Sequence, residues 1–183
     1  MIAADSASCR FRTAGVEDAP ALAALGRETF VETFGHLYRP DDLAAFLVSR
    51  DEERWREQLA DHEFAVRIVE ADGEAVAYAK LGPPSLPFEV NAPSIELRQF
   101  YVLRPWQGTN IARELMDWVL AEARRRGAAE LYLSVFVDNQ RARRFYERYG
   151  FTFVAPYAFM VGNHADEDHI MRLVLDEAPE ERR

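Results

Sequence analysis

The sequence predicts an α/β (α+β) fold in which a mixed, mostly antiparallel sheet of six to seven strands is flanked by helices. Segments with the strand period of two and segments with the helical period follow the order β, α, α, β, β, β, α, β, α, β, β. The β-α-β unit at the middle of this order indicates a parallel crossover inside the sheet. The length of 183 residues fits one domain over residues 1–183, with frayed tails at about residues 1–8 and 177–183.

The N-terminal half reads as two helical regions followed by a hairpin. Residues 18–35 predict a helix with Asp18 as its N-cap, because apolar side chains recur on one helical face. A second helical region runs from about residue 40 to residue 59, with a break near residues 49–51. Two strand-like runs then flank Asp72 and Gly73, a pair suited to the positive φ angles of a tight hairpin turn.

The central segment reads as a loop, a strand and a helix. Four prolines within residues 83–93 exclude regular structure there. The run IELRQFYVL, residues 95–103, predicts a strand, and the period of two places Glu96, Arg98, Phe100 and Val102 on one face. An amphipathic helix follows to Arg126.

The C-terminal segment reads as a strand, a short helix and a closing antiparallel pair. The strand is ELYLSVFV and the helix is NQRARRFYERYG, while FTFVAPYAFMVG and HIMRLVL form the pair. The acidic run HADEDH, residues 164–169, is expected to be a solvated turn between these last strands that could face a cationic substrate. Its spacing matches no tetrahedral ligand pattern, so no metal site is expected.

Composition and charge restrict the class of partner. The formal net charge of -9 disfavours nucleic-acid or anionic-membrane binding, because both require a basic surface, and it favours cationic small molecules or basic peptides. No apolar run is long enough to cross a bilayer, and the first residues lack the pattern of a signal peptide. The single cysteine, Cys9, suits a reducing compartment. We therefore expect a cytoplasmic protein.

The connection between the central strand and the helix after it is a candidate anion site. A strand that ends at Val102 and a helix that starts near Gly108 leave backbone N–H groups at the helix N-terminus, where the helix dipole also favours an anion. Arg104 and Arg113 add positive charge. No Walker or dinucleotide-binding motif is present, and spacing alone leaves an ordinary solvated connection equally open.

Two motifs in this region resemble those of the GNAT acyl-CoA N-acyltransferase superfamily. The run QGTNIA, residues 107–112, is similar to the family's Q/R-x-x-G-x-G/A motif and follows a strand that contains FYV. The run NQRARRFYERYGF, residues 139–151, is similar to the family's N-x-x-A-x-x-F/L-Y-x-x-x-G-F pattern. Looser similarities near both ends resemble a bacterial spermidine/spermine acetyltransferase subgroup (PaiA-like). Asn110 departs from the first motif, which has glycine there; we expect it to adopt the left-handed conformation, which Asn tolerates best after glycine.

The resemblance implies acetyl-CoA as cosubstrate and a set of residues that bind it. The pyrophosphate is expected on the loop amides with Gln107 in support, and the pantetheine arm along the central strand and Asn139. The expected coenzyme-binding residues are Phe100, Tyr101, Val102, Gln107, Gly108, Thr109, Asn110, Ile111, Ala112, Arg113, Asn139 and Tyr146. The run RARR, residues 141–144, could hold a 3′-phosphate or could be a solvated helix face.

The resemblance also implies direct transfer of the acetyl group to an amine, in which two side chains take part. Glu96 is the expected base, acting through water, unless it only pairs with Arg98 or a loop lysine. Tyr146 is the expected general acid for the leaving thiolate; spacing alone would make it part of the apolar helix face. A phenol with a pKa near 10 donates to a thiolate with a pKa near 8.5 at a cost of roughly 2 kcal/mol. The backbone N–H near Val102 is the expected oxyanion donor.

The expected acceptor is a primary amine, specifically a small cationic amine such as a polyamine. Two alternatives stay open: a non-catalytic acyl-CoA-binding regulatory module, and a protein or peptide N-acetyltransferase. Ser134 counts against close similarity to ribosomal-protein acetyltransferases, which carry Glu at the matching position. A homodimer is expected only because the resemblance to the family implies one.

Overall fold

The computed structural model describes residues 9–48, 50–87, 90 and 92–175. Within these residues, five α-helices flank one sheet of seven strands. The strands are β1 (Arg10–Thr13), β2 (Ala65–Ala71), β3 (Glu74–Gly82), β4 (Ser94–Val102), β5 (Glu130–Phe136), β6 (Thr152–Val161) and β7 (His164–Val174). The helices are α1 (Ala19–Phe34), α2 (Pro40–Val48), α3 (Glu52–Ala60), α4 (Ile111–Arg125) and α5 (Gln140–Arg148). The predicted fold class is confirmed. The element order also agrees, except that the second helical region forms two helices, α2 and α3, on either side of the predicted break. Both expected tails lie outside the described residues.

The strands lie in the order β1-β2-β3-β4-β5-β7-β6. Only β4 and β5 pair in parallel; the other neighbouring strands are antiparallel. The predicted hairpin is β2-β3, and its turn has Asp72 at φ 52° and Gly73 at φ 85°. Helix α4 provides the crossover between the parallel strands, as the β-α-β pattern predicted.

The two faces of the sheet are covered by different helices. On one, which we call the α4 face, Ile111, Leu115, Met116 and Val119 of α4 are fully buried against the sheet. On the other, the α1 face, α1 and α3 pack on side chains of β2 and β3 such as Ile68 and Tyr78. A fully buried aliphatic side chain contributes about 1.5–3 kcal/mol, so these contacts hold the helices on the sheet. No helix among the described residues is long and apolar enough to cross a membrane.

Strand β4 contains a bulge that changes which side chains share a face. Lys80 lies opposite Gln99 and Leu81 opposite Leu97, so Arg98 is the extra residue. Glu96, Gln99 and Tyr101 therefore point to the α1 face. In contrast, Phe100 and Val102 pack on the α4 face. The prediction that Glu96, Arg98, Phe100 and Val102 share one face is wrong, because one extra residue reverses the alternation after it.

The run HADEDH is part of a strand. The turn between the last two strands is Gly162 and Asn163, and β7 begins at His164 and pairs with β6 from its first residue. Asp166 and Asp168 are each only 6% exposed. The prediction of a solvated turn is therefore wrong; these carboxylates are tolerated inside because hydroxyl groups of Tyr38 and Ser134 bond to them.

Candidate active site

Strands β4 and β5 separate along their length and leave a V-shaped split. They pair only at Ser94 with Glu130, Ile95 with Leu131 and Glu96 with Tyr132. Beyond Glu96 the two strands continue, to Val102 and to Phe136, without pairing to each other. The backbone groups on this edge of β4 are consequently open to another extended molecule, which can pair with them as a strand would.

The hydrogen-bond alternation of β4 shows which amides face the split. The Leu103 N–H donates to the Val76 carbonyl of β3 at 3.0 Å. The preceding residue, Val102, lies opposite Ala77 of β3. Because hydrogen-bonded and non-hydrogen-bonded pairs alternate in an antiparallel ladder, the N–H groups of Val102 and Phe100 point away from β3 and into the split. The expected oxyanion donor near Val102 therefore has the required direction.

The loop after β4 ends in an open helix N-terminus. A short 3-10 turn, Arg104–Trp106, leads to Gly108 at φ +84°, and α4 begins at Ile111, three residues later than Gly108. The Glu114 N–H donates to the Asn110 carbonyl at 3.1 Å and closes the first helical turn. The amides before Glu114 are those that a helix leaves without an intrahelical acceptor, and amides of this kind can bind an anion. One of them, the Ile111 N–H, donates to Thr109 Oγ1 at 3.4 Å.

Asn110 does not adopt the expected left-handed conformation. Its φ is -72° and its ψ is -12°, the ordinary right-handed helical region, and the left-handed residue of the loop is Gly108. The Asn110 side chain donates from Nδ2 to Glu114 Oε1 at 2.8 Å. The expectation failed because the chain makes its tight change of direction two residues earlier, so position 110 needs no glycine for conformational reasons.

Gln107 and Asn139 use their side chains to hold the loop and α5. The Gln107 amide donates from Nε2 to the Val102 carbonyl at 2.9 Å and accepts from the exposed Arg141 through Oε1. Asn139 caps α5 by accepting the Ala142 N–H at 3.2 Å. In the run RARR, Arg143 donates to the Val137 carbonyl at 3.0 Å, whereas Arg141 and Arg144 face solvent. These contacts position backbone around the split, and direct coenzyme contacts of the two amides stay predictions.

Tyr146 lies on the α4 side of the split in an aromatic cluster. Its ring centroid is 6.3 Å from that of Phe100, 5.6 Å from Phe145 and 5.7 Å from Phe151, and the residue is 8% exposed. Burial, with a smaller contribution from Tyr101, raises the pKa of Tyr146 above its usual value. No hydrogen bond to its hydroxyl is formed within the described chain. The phenol therefore stays protonated at neutral pH and can donate to a group that enters the split.

Glu96 lies on the α1 side and is already hydrogen-bonded. Its carboxylate accepts the Ser85 N–H at 2.6 Å and the Ser85 hydroxyl at 3.1 Å, and Arg98 Nε lies 3.3 Å from Glu96 Oε1. The alternative that Glu96 pairs with Arg98 is thus realised in the structure. Glu96 is also the last β4 residue that pairs with β5, which places it at the apex of the split.

Asp168 is a second buried carboxylate on the α1 face that the sequence prediction placed in a turn. It accepts a hydrogen bond from Ser134 of the adjacent strand β5. Burial, reinforced by Asp166, raises the pKa of Asp168 to about 7 even though the Ser134 bond lowers it. Asp166 itself accepts the Tyr38 hydroxyl and lies 3.2 Å from His164 Nε2. Asp166 and Asp168 lie four and two residues before the buried Ile170, so the strand period of two places all three on one face. This was the sequence signal that could have predicted the burial of both carboxylates.

A cleft of about 260 Å³ opens on the α1 face beside the split. Glu96 of β4 and Ser134 of β5 line it from the two sides of the split, and α3 and β6 provide further walls. Its lining is Phe46, Arg50, Asp51, Arg54, Trp55, Gln58, Lys80, Ser85, Leu86, Glu96, Arg98, Gln99, Ser134, Tyr157 and Phe159. A larger cavity, about 580 Å³, lies between α3 and α4, where Trp118, Glu122 and Arg126 line it and no predicted site residue does.

Comparison with known proteins agrees with this geometry. The model of the Acetyltransferase (GNAT) family matches residues 29–151. The chain belongs to this family. An uncharacterised N-acetyltransferase of Mycobacterium tuberculosis is 34% identical to it over 155 residues, covering 84% of this chain and 96% of that protein. An uncharacterised N-acetyltransferase of Lactobacillus delbrueckii subsp. lactis is 27% identical over 161 residues, covering 87% and 93%.

A solved structure shares the fold with a coenzyme bound. The crystal structure of PaiA N-acetyltransferase from Thermoplasma acidophilum, in complex with coenzyme A, covers 91% of this chain and 99% of its own, with a TM-score of 0.72 and 18% identity. This GNAT protein is an N-acetyltransferase enzyme whose cosubstrate is acetyl-CoA. The residues present fit that group, because the open edge of β4 suits an amide-containing arm and the N-terminus of α4 suits a pyrophosphate. In the described part of the chain, no cluster of three or more metal-ligating side chains occurs.

Proposed function

We propose that the protein transfers an acetyl group directly from acetyl-CoA to a small primary amine, in a ternary complex and without a covalent enzyme intermediate. The observation that carries this proposal is the split itself. Tyr146 borders it from the α4 face, and the cleft of about 260 Å³ borders it from the α1 face. A donor and an acceptor that enter from opposite faces can meet at the split, so no enzyme nucleophile is needed to carry the acetyl group between them.

The acetyl donor, acetyl-CoA, would be bound by groups that extend from the N-terminus of α4 along the open edge of β4. The amides of residues 108–113 would bind the pyrophosphate, and the Phe100 and Val102 backbone would pair with the pantetheine arm. Acetyl-CoA supplies an activated thioester when bound. The Val102 N–H faces the split and would stabilise negative charge on the carbonyl oxygen, while the Tyr146 phenol would protonate the leaving sulfur. Because burial raises the pKa of Tyr146, this proton transfer is more uphill than for an ordinary phenol.

Two carboxylates are proposed to accept the proton of the attacking amine. Glu96 lies at the apex of the split, and Asp168 lies beyond it on β7. The pKa of Asp168, raised to about 7, matches that of an effective base at neutral pH, whereas Glu96 already accepts bonds from Ser85. Glu96→Gln and Asp168→Asn distinguish them. The variant that lacks the base should lose about 100-fold or more in kcat, and the other less than about 10-fold.

The test of the proposal is Tyr146→Phe, measured by free-thiol release and by coenzyme titration. We expect kcat to fall by about 100-fold or more, because the proton donor is lost, and the coenzyme Kd to change by less than about three-fold. Tyr149→Phe is the matched control: it lies on the same turn of chain and packs on Phe145 at 5.1 Å, and it should keep its activity. Equal turnover by both variants would remove Tyr146 from the chemistry.

Spermidine tests the polyamine prediction, which rests on the net charge of -9 and which the cations lining the cleft oppose. Thiol release that depends on spermidine would support the PaiA-like subgroup. Coenzyme binding without turnover on any amine would instead support the regulatory-module alternative. Acetylation of peptides but of no small amine would support the protein acetyltransferase alternative, although a cleft of about 260 Å³ favours a small molecule. A homodimer and a cytoplasmic location stay predictions; light scattering and cell fractionation test them.

A further inference from the structure

The acceptor cleft contains a cation cluster that the transfer chemistry does not use. We define this cation cluster as Arg50, Arg54, Lys80 and Arg98, all of which line the cleft. We infer that the acceptor is an amine that also bears an anionic group, a carboxylate or a phosphate ester, and that this group binds to the cation cluster. This inference rests on the proposed function, because it describes the second functional group of the same substrate.

Lys80 is the buried member of the cluster. It is 7% exposed; its Nζ donates to Gln58 Oε1 at 2.8 Å and lies 4.3 Å from the centroid of the Trp55 ring. No Asp or Glu of the described chain forms an ion pair with it. Burying an ammonium without a counter-ion is costly, and such groups normally have a partner. A bound anion would provide that partner.

The charge around Lys80 is positive while no substrate is bound. Burial, with smaller contributions from Arg50, Arg98 and Arg54 and against an opposing effect of Glu96, lowers the pKa of Lys80 to about 7. The two carboxylates that line the cleft are already engaged: Glu96 accepts from Ser85, and Asp51 accepts the Arg54 N–H at 2.9 Å as the cap of α3. Three arginines, and Lys80 when it is protonated, face only two carboxylates in the cleft, and one of these, Glu96, pairs with Arg98. A net positive charge therefore remains, and it attracts an anion.

Arg50 is held so that its guanidinium remains available. Its guanidinium carbon lies 4.3 Å from the ring centroid of Phe46 and 5.5 Å from that of Phe30. The Arg50 carbonyl accepts a hydrogen bond from Arg27 Nη1 at 3.2 Å, which fixes the loop between α2 and α3. Within the described residues its guanidinium has no carboxylate partner. A guanidinium stacked on aromatic rings presents its N–H edge, the edge that binds carboxylate and phosphate oxygens.

The positions of these groups set the length of the acceptor. Lys80 lies on β3 directly opposite Gln99 of β4, one strand away from the split. Neighbouring strands are about 4.8 Å apart, so the anion and the reacting amine would be separated by roughly 5–7 Å, the span of two or three carbons. Glu96 and Asp168 lie towards the split, where the amine would be. A second ammonium on the acceptor would instead face Lys80 and Arg50, where like charges repel.

The test uses four primary amines of similar length that differ in the group at the end opposite the reacting amine. They are β-alanine, O-phosphoethanolamine, propylamine and diaminopropane, assayed with acetyl-CoA on the full chain. We expect kcat/KM for at least one anionic amine to exceed that for propylamine by about 10-fold or more, with diaminopropane the poorest. The two anionic amines distinguish a carboxylate from a phosphate ester. A preference for propylamine or diaminopropane would overturn the inference and leave the proposed function intact.

Charge-removing variants locate the effect. Lys80→Gln and Arg50→Gln should each lower kcat/KM for the preferred anionic amine by about 10-fold, and change that for propylamine by less than about two-fold. Arg56→Gln is the matched control, because Arg56 lies on α3 as well but pairs with Glu52 at 2.8 Å and does not line the cleft. Equal losses on propylamine and on the anionic amine would overturn the assignment of the anion to these residues.

A binding measurement separates this inference from the enzyme activity. N-acetyl-β-alanine and N-propylacetamide are titrated calorimetrically into the complex with coenzyme A, in the wild type and in Lys80→Gln. Tighter binding of the anionic compound that Lys80→Gln abolishes would support the anion site, even if no amine were turned over, and the absence of turnover would then count against the proposed function alone. Equal binding of the two compounds would overturn the anion site.

Discussion

The two faces of the sheet present different kinds of group beside the split. On the α4 face, the buried side chains of α4 and of the strands beneath it are apolar, and the groups directed at the split are backbone amides and one phenol. On the α1 face, Lys80, Glu96, Asp166 and Asp168 are all buried. Backbone amides need only the correct chain geometry, whereas buried charges must be stabilised by neighbours. The α4 face, where we propose that the coenzyme binds, should therefore cost the fold little stability, whereas the α1 face, the proposed acceptor side, should cost more.

Asp168→Asn tests this difference with the largest expected effect on stability. The pKa of Asp168 is raised from 3.8 to about 7, so between these values the folded protein binds a proton that the unfolded chain does not. The free energy of unfolding of the wild type should consequently fall as pH rises through this window. The variant has no ionisable group at this position, so its free energy of unfolding should not fall for this reason. Between pH 4 and pH 8, the free energy of unfolding of the variant minus that of the wild type should therefore rise by up to about 4 kcal/mol.

Urea unfolding at the two pH values measures this gain. Glu167→Gln, at the exposed neighbouring position of β7, is the control and should follow the wild type at both pH values. Parallel pH dependence of Asp168→Asn and the wild type would show that Asp168 is ionised in the folded protein at low pH. The neighbours of Asp168 would then stabilise its charged form as effectively as water stabilises that of an exposed carboxylate. The proposed contrast between the two faces would fail.

Gly108→Ala tests the α4 face through its backbone. At φ +84° an alanine is strained, and its Cβ would meet no atom within 4 Å, so backbone strain alone decides the result. We expect a loss of about 1–2 kcal/mol in stability together with a coenzyme Kd weakened by about three-fold or more, because relief of the strain moves the loop amides. Thermal unfolding and coenzyme titration measure the two effects.

Gly73→Ala is a matched control for that variant. Gly73 has φ +85°, and its added Cβ would also meet nothing within 4 Å, but it lies in the β2-β3 turn. It should lose a similar amount of stability and leave the coenzyme Kd unchanged. If both variants bind coenzyme equally well, the conformation of the loop at residue 108 is unimportant for coenzyme binding.

The same contrast explains which features could be predicted from sequence. The order of elements, the Asp72-Gly73 turn and the open N-terminus of α4 follow from neighbouring residues, whose signals are local. The bulge at Arg98 does not, because it depends on the register between β4 and β3 and reverses the faces of every later residue in the strand. The cation cluster joins three separate segments of the chain, residues 50–54, β3 and β4, so no local pattern reveals it.

Asn110→Gly, which restores the residue of the family motif, should have the smallest effect. The φ of -72° suits any residue, and the Asn110 side chain forms no capping bond to a backbone amide, so we expect stability to change by less than about 0.5 kcal/mol. The coenzyme Kd should change by less than about three-fold, because the loop amides keep their positions.

Comparison with Asn110→Ala separates the effect of the Asn110 Cβ atom from that of its amide group. Both variants remove the bond from the Asn110 amide to Glu114, but only glycine also removes the Cβ atom. Equal coenzyme affinity of the two variants would mean that the Cβ lies outside the path of the pyrophosphate. Tighter binding by the glycine variant alone, by about 10-fold, would mean that this side chain obstructs the phosphates. The α4 face would then also contain a side chain that limits affinity, and its recognition would no longer be a matter of backbone alone.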